Sequence, residues 1–224
     1  MSEFRPSAVI FDLDGTLVDS LPGIEFAVKS AFAACGMPYP ALDLRSMIGP
    51  PIRTILAQMA GTNDASTLTH LESAFRASYD SEGWRKSYCY PGTRATLESL
   101  YEAGLRLFVV TNKPRHISLR IIETTGIQRF FERIVTRDSR APQYADKKEM
   151  LASLIGSSGV APADCVLVGD TAEDAGAACA IGIKFAHATH GYGTIGEDHV
   201  TPVHLRLNDF SQLLQWIGLE FAHD

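Results

Sequence analysis

The stretch Ser7–Ser20, S-A-V-I-F-D-L-D-G-T-L-V-D-S, decides how the chain is read. Its apolar run Ala8-Val9-Ile10-Phe11 is short and continuous, which suits a parallel strand buried on both faces. The run ends in two carboxylates one residue apart, Asp12 and Asp14, followed by Gly15 and Thr16. Ligands of open parallel sheets bind outside the carboxyl ends of the strands, so these carboxylates stand at the mouth of a site. Asp12 is placed to attack an electrophile held in line with it. Asp14 is placed to give a proton to a leaving group and later take one from water. Two clustered carboxylates repel unless a cation lies between them, and hard oxygen ligands suit Mg²⁺. The same letters also fit a strand entering an Asp-Gly turn, with an Asp that only caps the next helix. D-x-D-G alone does not separate the two.

Composition narrows the field. A chain of 224 residues, 46% apolar and 21% charged, buries a real core and allows one domain with an insert. The net charge of -6 offers no basic face for nucleic acid or an anionic membrane. An anionic substrate therefore needs local positive charge from a metal or a few lysines. No apolar run approaches the ~20 residues that span a bilayer. Met1–Pro6 is polar, and no leader is expected. Cys35, Cys89, Cys165 and Cys179 lack C-x-x-C spacing and read as reduced thiols of a cytoplasmic protein.

Working outward, helical spacing covers Ile24 to Cys35, stopped by Gly36 and Pro38. A short element spans Pro40 to Met47, and the loop Ile48-Gly49-Pro50-Pro51-Ile52-Arg53 follows. Thr54–Met59 and Ser66–Tyr79 read as helices. No strand is expected between Ser20 and Tyr90, so this stretch reads as a helical cap inserted after the first strand. A helix then runs to Ala103. Strands are expected at Leu105–Val110, Phe131–Thr136, Cys165–Val168, Ile183–Ala188 and His204–Leu207. Helices are expected at Arg115–Thr124, from Lys147 to Ile155, at Ala175–Ile181 and at Phe210–Ile217. Strands separated by helices imply a doubly wound parallel sheet of the α/β class. Two further strand ends carry polar motifs, Thr111-Asn112-Lys113-Pro114 and Gly169-Asp170-Thr171-Ala172-Glu173-Asp174. Thr111-Asn112 also fits a helix N-cap, and the acids after Gly169 also suit the dipole of a helix's first turn.

Asp12-Leu13-Asp14-Gly15-Thr16-Leu17-Val18-Asp19-Ser20 resembles the signature of the haloacid dehalogenase superfamily, in its phosphatase branch. The polar strand ends follow in the family's order, and the resemblance covers roughly Ser7 to Gly193. It implies a Rossmann-like catalytic core of residues 1–18 and 91–224 and an inserted, all-helical cap of residues 19–90. It also implies that Asp12 forms an aspartyl-phosphate, that Asp14 is the general acid/base, and that Thr111, aided by Asn112, binds the phosphoryl group. Mg²⁺ would be held by Asp12, the backbone carbonyl of Asp14, and Asp170. Asp174, or less readily Glu173, would orient water or the motif lysine. That lysine aligns with Lys147, with Lys148 beside it as the alternative, because K-K-E-M-L opens a helix directly and no K-P-x-P string exists.

The Gly49–Arg53 loop resembles the cap loop of phosphoglycolate-phosphatase-like members. Arg53 there would grip an anionic group, or else simply be an exposed arginine at a helix start. His187 and His190 fall near the sheet's carboxyl edge, where packing roles compete with substrate contact. The implied protein is an Mg²⁺-dependent phosphatase of a small-molecule phosphate ester such as phosphoglycolate, a sugar phosphate or a nucleotide. It would be a cytoplasmic monomer or homodimer without nucleic-acid or membrane partners. Two alternatives stand beside it. One is a phosphomutase resembling β-phosphoglucomutase, whose usual D-G-V differs from the D-G-T here. The other is a non-catalytic phosphate-binding or regulatory protein on the same scaffold.

Overall fold

The computed structural model describes residues 4–196 and 200–219. Its strands, in chain order, are β1 (Ala8–Phe11), β2 (Val18–Asp19), β3 (Tyr88–Cys89), β4 (Arg106–Thr111), β5 (Arg133–Thr136), β6 (Cys165–Gly169), β7 (Lys184–Ala188) and β8 (Leu205–Leu207). Its helices are α1 (Leu21–Ala34), α2 (Ile52–Ala60), α3 (Ala65–Ser81), α4 (Thr93–Glu102), α5 (Arg115–Thr124), α6 (Lys147–Ser158), α7 (Ala172–Ala180) and α8 (Ser211–Trp216).

Six strands form one parallel sheet in the order β5-β4-β1-β6-β7-β8. β1 is central, with Phe11 in register with Val109 on one side and Val168 on the other. Side chains alternate between faces along a strand. Val9, Phe11, Val109 and Val168 accordingly join one apolar cluster with α4, α5 and α8. Ala8, Ile10, Phe108 and Leu167 join another with α6 and α7. The uninterrupted Ala8–Phe11 run is thus buried because helices cover both faces of the sheet. The sheet is a doubly wound α/β layer, and the chain leaves β1 for β4 on one side and reaches β6 on the other. That divergence is the crevice where such sheets bind ligands.

α1, α2 and α3 lie between β1 and α4 in the chain, and α1 packs along α3. Their buried faces (Phe32, Leu56, Leu71, Phe75) continue the apolar cluster that starts on the sheet.

Several expectations are corrected. A strand does occur between Ser20 and Tyr90, because Tyr88–Cys89 pairs antiparallel with Val18–Asp19. These segments are the outgoing and returning connections of the helical insertion, and two residues are too few to show an alternation. Only Arg45–Met47 of the element expected at Pro40–Met47 is regular, as one 3₁₀ turn. The helix expected from Ala175 begins at Ala172, because Thr171 and Asp174 form a reciprocal capping box.

Candidate active site

Three adjacent strand tips build the site. β1 ends into Asp12, whose N–H donates to Val168 O at 2.9 Å, extending the strand pairing by one residue. The chain then turns through Gly15, which has a left-handed φ of 79°. A Cβ on Gly15 would fall 2.3 Å from Asp170 Oδ2, so only glycine serves both the turn and the close approach. β4 ends in Thr111, and β6 leads directly into Asp170.

Asp170 is fully buried. Its Oδ2 accepts from the N–H groups of Tyr192 at 2.8 Å and Gly193 at 3.1 Å, and its Oδ1 accepts from the Thr16 hydroxyl at 3.3 Å. A Cβ on Gly191 would sit 2.3 Å from Asp170 Cβ and 2.4 Å from Gly15 O, so the 190s loop is moulded against this acid. Burial first, and then the Asp174 charge, push the Asp170 carboxyl up to about 6, with the two N–H donors opposing.

Lys147 and Lys148 are separated cleanly. Lys147, the first residue of α6, is 3% exposed, and its ammonium donates to Asp12 Oδ1 at 2.9 Å and Asp174 Oδ1 at 2.5 Å. Lys148 is exposed. Asp146 caps α6 by accepting from Glu149 N–H at 2.8 Å, which sets the rotation that turns Lys147 inward. Burial opposes the charge on Lys147, but the Asp12 and Asp174 carboxylates outweigh it and hold the ammonium above its ordinary range. Burial raises Asp12 well above the usual carboxylate range despite Lys147, and Asp174, Asp170 and Asp14 add repulsion. Asp174 spends its other oxygen, Oδ2, on the Thr171 hydroxyl and N–H. It therefore ties the lysine to the capped end of α7.

A second lysine, which sequence reasoning left without a role, completes the arrangement. Lys113 is buried, and its ammonium donates to both oxygens of Asp14, at 2.9 and 3.0 Å. It also lies 4.8 Å from the centre of the Tyr79 ring on α3. Burial opposes its charge; Asp14 and Tyr79 outweigh burial and raise it. The available signal was charge balance. Four aspartates converging near the strand tips need more than one ammonium, and Lys113 lies two residues past Thr111, the last residue of β4.

The residues present fit a divalent cation. Single oxygens from Asp12, Asp170 and Asp174 lie within 4.8 Å of one another. Four carboxylates face two ammonium groups here, an excess of two negative charges among buried hard-oxygen donors. With Asp174 engaged by Lys147 and Thr171, Asp12 and Asp170 are the side chains best placed to be ligands.

The remaining expected residues are distributed as follows. Thr111 is buried, and its Oγ1 accepts from Lys113 N–H at 3.2 Å. Asn112 donates its amide to Glu173 at 2.8 Å, while its Oδ1 is buried without a hydrogen-bond partner among the described residues. Glu173 is thereby occupied by Asn112 rather than by the lysine. Arg53 lines the same cavity as Asp12, but its guanidinium donates to Glu72 Oε2 at 3.1 Å and to Ala65 O at 3.3 Å. The histidines pack instead of facing the cavity. His187 bonds the Asp170 carbonyl at 3.2 Å, and His190 bonds the Thr16 carbonyl at 3.1 Å with its ring against Tyr90. One cavity of about 170 Å³ joins the strand tips below to α2 and α3 above.

A Rossmann-like sheet whose strand tips at the switch point gather four aspartates and two buried lysines, beneath inserted helices, defines a class of α/β protein built around an acidic, cation-countered site. Residues 9–188 match the family described as haloacid dehalogenase-like hydrolase, and the chain belongs to that family. Its relatives include phosphoglycolate phosphatase 1 of Pseudomonas aeruginosa, 32% identical over 193 residues, covering 84% of this chain and 71% of the relative. They also include tyrosine-protein kinase PtkA of Mycobacterium tuberculosis, 34% identical over 189 residues. That match covers 84% of this chain but only 64% of PtkA, so the chain spans under two thirds of that relative's length. A haloacid dehalogenase-like hydrolase from Streptococcus pneumoniae superposes with a TM-score of 0.85 over 94% of this chain and 98% of its own, at 24% identity, a likeness of fold. No helix among the described residues is long and apolar enough to cross a membrane.

Proposed function

We propose that the protein is an Mg²⁺-dependent phosphatase that hydrolyses a small-molecule phosphate monoester through an aspartyl-phosphate on Asp12. The observation that carries this reading is the placement of Asp12. It sits at the tip of the central strand with Lys147 on one oxygen, and Asp14 is two residues away, held by Lys113. The name of the Pseudomonas aeruginosa relative supports a phosphate ester as substrate.

In this reading residues 19–90 form a cap over a core of residues 1–18 and 91–224. The substrate phosphate enters the cavity between them. Asp12 attacks phosphorus as the ester oxygen leaves, and Asp14 gives that oxygen its proton. Asp14 then takes a proton from the water that cleaves the acyl phosphate, which restores Asp12 and releases inorganic phosphate. Lys147 neutralises charge between Asp12 and the phosphoryl oxygens, and the Thr111 hydroxyl and Asn112 bind those oxygens. An ester arriving as its monoanion brings the proton that Asp14 passes to the leaving oxygen, and its phosphate oxygens offer Lys113 a competing partner that loosens its hold on Asp14. Held by Asp12, Asp170 and the Asp14 carbonyl, Mg²⁺ would supply further positive charge against the phosphoryl oxygens.

All of these groups converge, which favours turnover over passive phosphate binding. Borohydride reduction of the protein quenched during turnover tests the assignment. The reagent reduces an acyl phosphate to the alcohol, so the peptide spanning Asp12 should carry homoserine at that position when substrate and Mg²⁺ are present and unmodified aspartate when they are not. Reduction at another carboxyl, or at none while phosphate is being released, would overturn the assignment of Asp12 as nucleophile.

A further inference from the structure

The upper half of the cavity carries information about the leaving group, and the inference below rests on the phosphatase reading of its lower half. α2 and α3 present Ile52, Ile55, Phe75 and Tyr79 to the cavity, joined by Ile48 and Ile117. Phe75 and Tyr79 stack, with ring centroids 5.2 Å apart and planes 11° from parallel. The wall is therefore a largely aliphatic and aromatic surface directly above the acids.

Its two cationic groups are already matched. Glu72 is half-buried and accepts from Arg76 Nη2 at 2.8 Å through Oε1 and from Arg53 Nη1 at 3.1 Å through Oε2. Each arginine thus places one Nη on the same internal carboxylate, and the other Nη of Arg53 donates to Ala65 O. Burial opposes ionisation of Glu72, but hydrogen bonds from Arg76 and Arg53 leave it below its ordinary range, so it stays anionic. Asp80, which also lines the cavity, adds a second negative charge and bonds His116 at 3.1 Å. With two arginines against two carboxylates, this wall offers no net positive charge. A second anionic group on the substrate would compete with Glu72 for these arginines and be repelled by its charge. A polyhydroxylated leaving group would desolvate hydroxyls against isoleucine and phenylalanine.

We infer that the preferred substrate is the phosphate monoester of an uncharged, apolar alkyl or aryl alcohol, and that Glu72 excludes esters carrying a second negative charge. Glu72 is in this account a specificity-determining residue.

The test compares kcat/KM of the Mg²⁺-loaded protein on n-hexyl phosphate, glucose 6-phosphate and 2-phosphoglycolate. The three leaving groups are all primary alkoxides, so the comparison reads the wall. The expected result is a preference for hexyl phosphate of about tenfold or more, the scale of one or two buried methylenes. Glu72→Gln is expected to raise the phosphoglycolate-to-hexyl ratio by about tenfold, and Phe75→Ala to raise it by lowering the hexyl value. A wild-type preference for phosphoglycolate or glucose 6-phosphate, or a ratio unmoved in Glu72→Gln, would overturn the inference while leaving the phosphatase reading intact.

Calorimetric titration of the wild type with hexylphosphonate and phosphonoacetate gives a readout that needs no turnover. Tighter hexylphosphonate binding in a protein that hydrolyses none of the three esters would sink the phosphatase reading and sustain the apolar wall. Equal affinity, tighter phosphonoacetate or no binding of either would overturn the inference.

Discussion

Replacing Lys147 with Met should expose how much the site's charge arrangement contributes to the fold. The side chain is 3% exposed and its ammonium bridges Asp12 at 2.9 Å and Asp174 at 2.5 Å. Methionine fills a similar volume but leaves two buried carboxylates without their cation, beside a third in Asp170. Removing one partner of a buried ion pair costs about 3–5 kcal/mol. Burial already pushes Asp12 well up, and losing the lysine removes the charge that opposes that shift. For a chain of this size 1 kcal/mol moves the midpoint by about 2–4 °C, so Tm should fall by about 6–20 °C in EDTA. Lys148→Met is the control. Its side chain is exposed, so the change should stay within ~0.5 kcal/mol, or about 2 °C. Thermal unfolding followed by circular dichroism, with urea unfolding in parallel, reads both variants. A Lys147→Met midpoint within 2 °C of wild type, or an equal loss in Lys148→Met, would refute the assignment of Lys147 as the buried counter-ion.

Three further outcomes follow from other contacts. Gly191→Ala drives a Cβ to 2.3 Å from Asp170 and should cost about 1–3 kcal/mol while weakening Mg²⁺ affinity measured by calorimetry; unchanged affinity would contradict the close fit. Tyr192→Phe removes a hydroxyl that accepts from Ser20 N–H at 2.7 Å and Leu21 N–H at 3.0 Å and donates to Asp19 at 2.8 Å, so urea unfolding should show a loss of about 1–3 kcal/mol. Glu72 has its folded-state pKa lowered by its arginines against burial, so its contribution to stability is present above its unfolded value of 4.5 and is lost as pH falls through the lower folded value. The stability gap between wild type and Glu72→Gln should therefore shrink between pH 6 and pH 3, and a gap that widens would reverse the sign of the argument.

What was legible in the sequence depended on distance along the chain. Asp12, Asp14 and Asp170 were readable because each lies at the end of a short apolar run, and the end of a buried parallel strand is a fixed address in such a sheet. The sheet itself followed from the spacing of those runs. Lys147 and Lys148 could not be separated by sequence, since neighbours on a helix differ only in rotation, and the Asp146 cap and the packing of α6 decide which one faces inward. Lys113 sat in plain view after Asn112. Its role depends on Asp14, 99 residues earlier, so only an argument from total charge could have found it. The Glu72–Arg76 pair has the helical i, i+4 spacing, yet the addition of Arg53 depends on how α2 meets α3. The Asp19–Tyr192 contact joins residues 173 apart through a single hydroxyl and left no local trace.

The central claim is that Asp12 forms a covalent phosphoryl intermediate in an Mg²⁺-dependent site, and one measurement tests it most directly. Phosphate release from hexyl phosphate and p-nitrophenyl phosphate is followed for wild type and Asp12→Asn, each with Mg²⁺ and with EDTA. The account predicts turnover in wild type with Mg²⁺ alone, and a loss of at least about a thousandfold in Asp12→Asn or EDTA. Hydrolysis by Asp12→Asn near the wild-type rate, or undiminished turnover in EDTA, would contradict it.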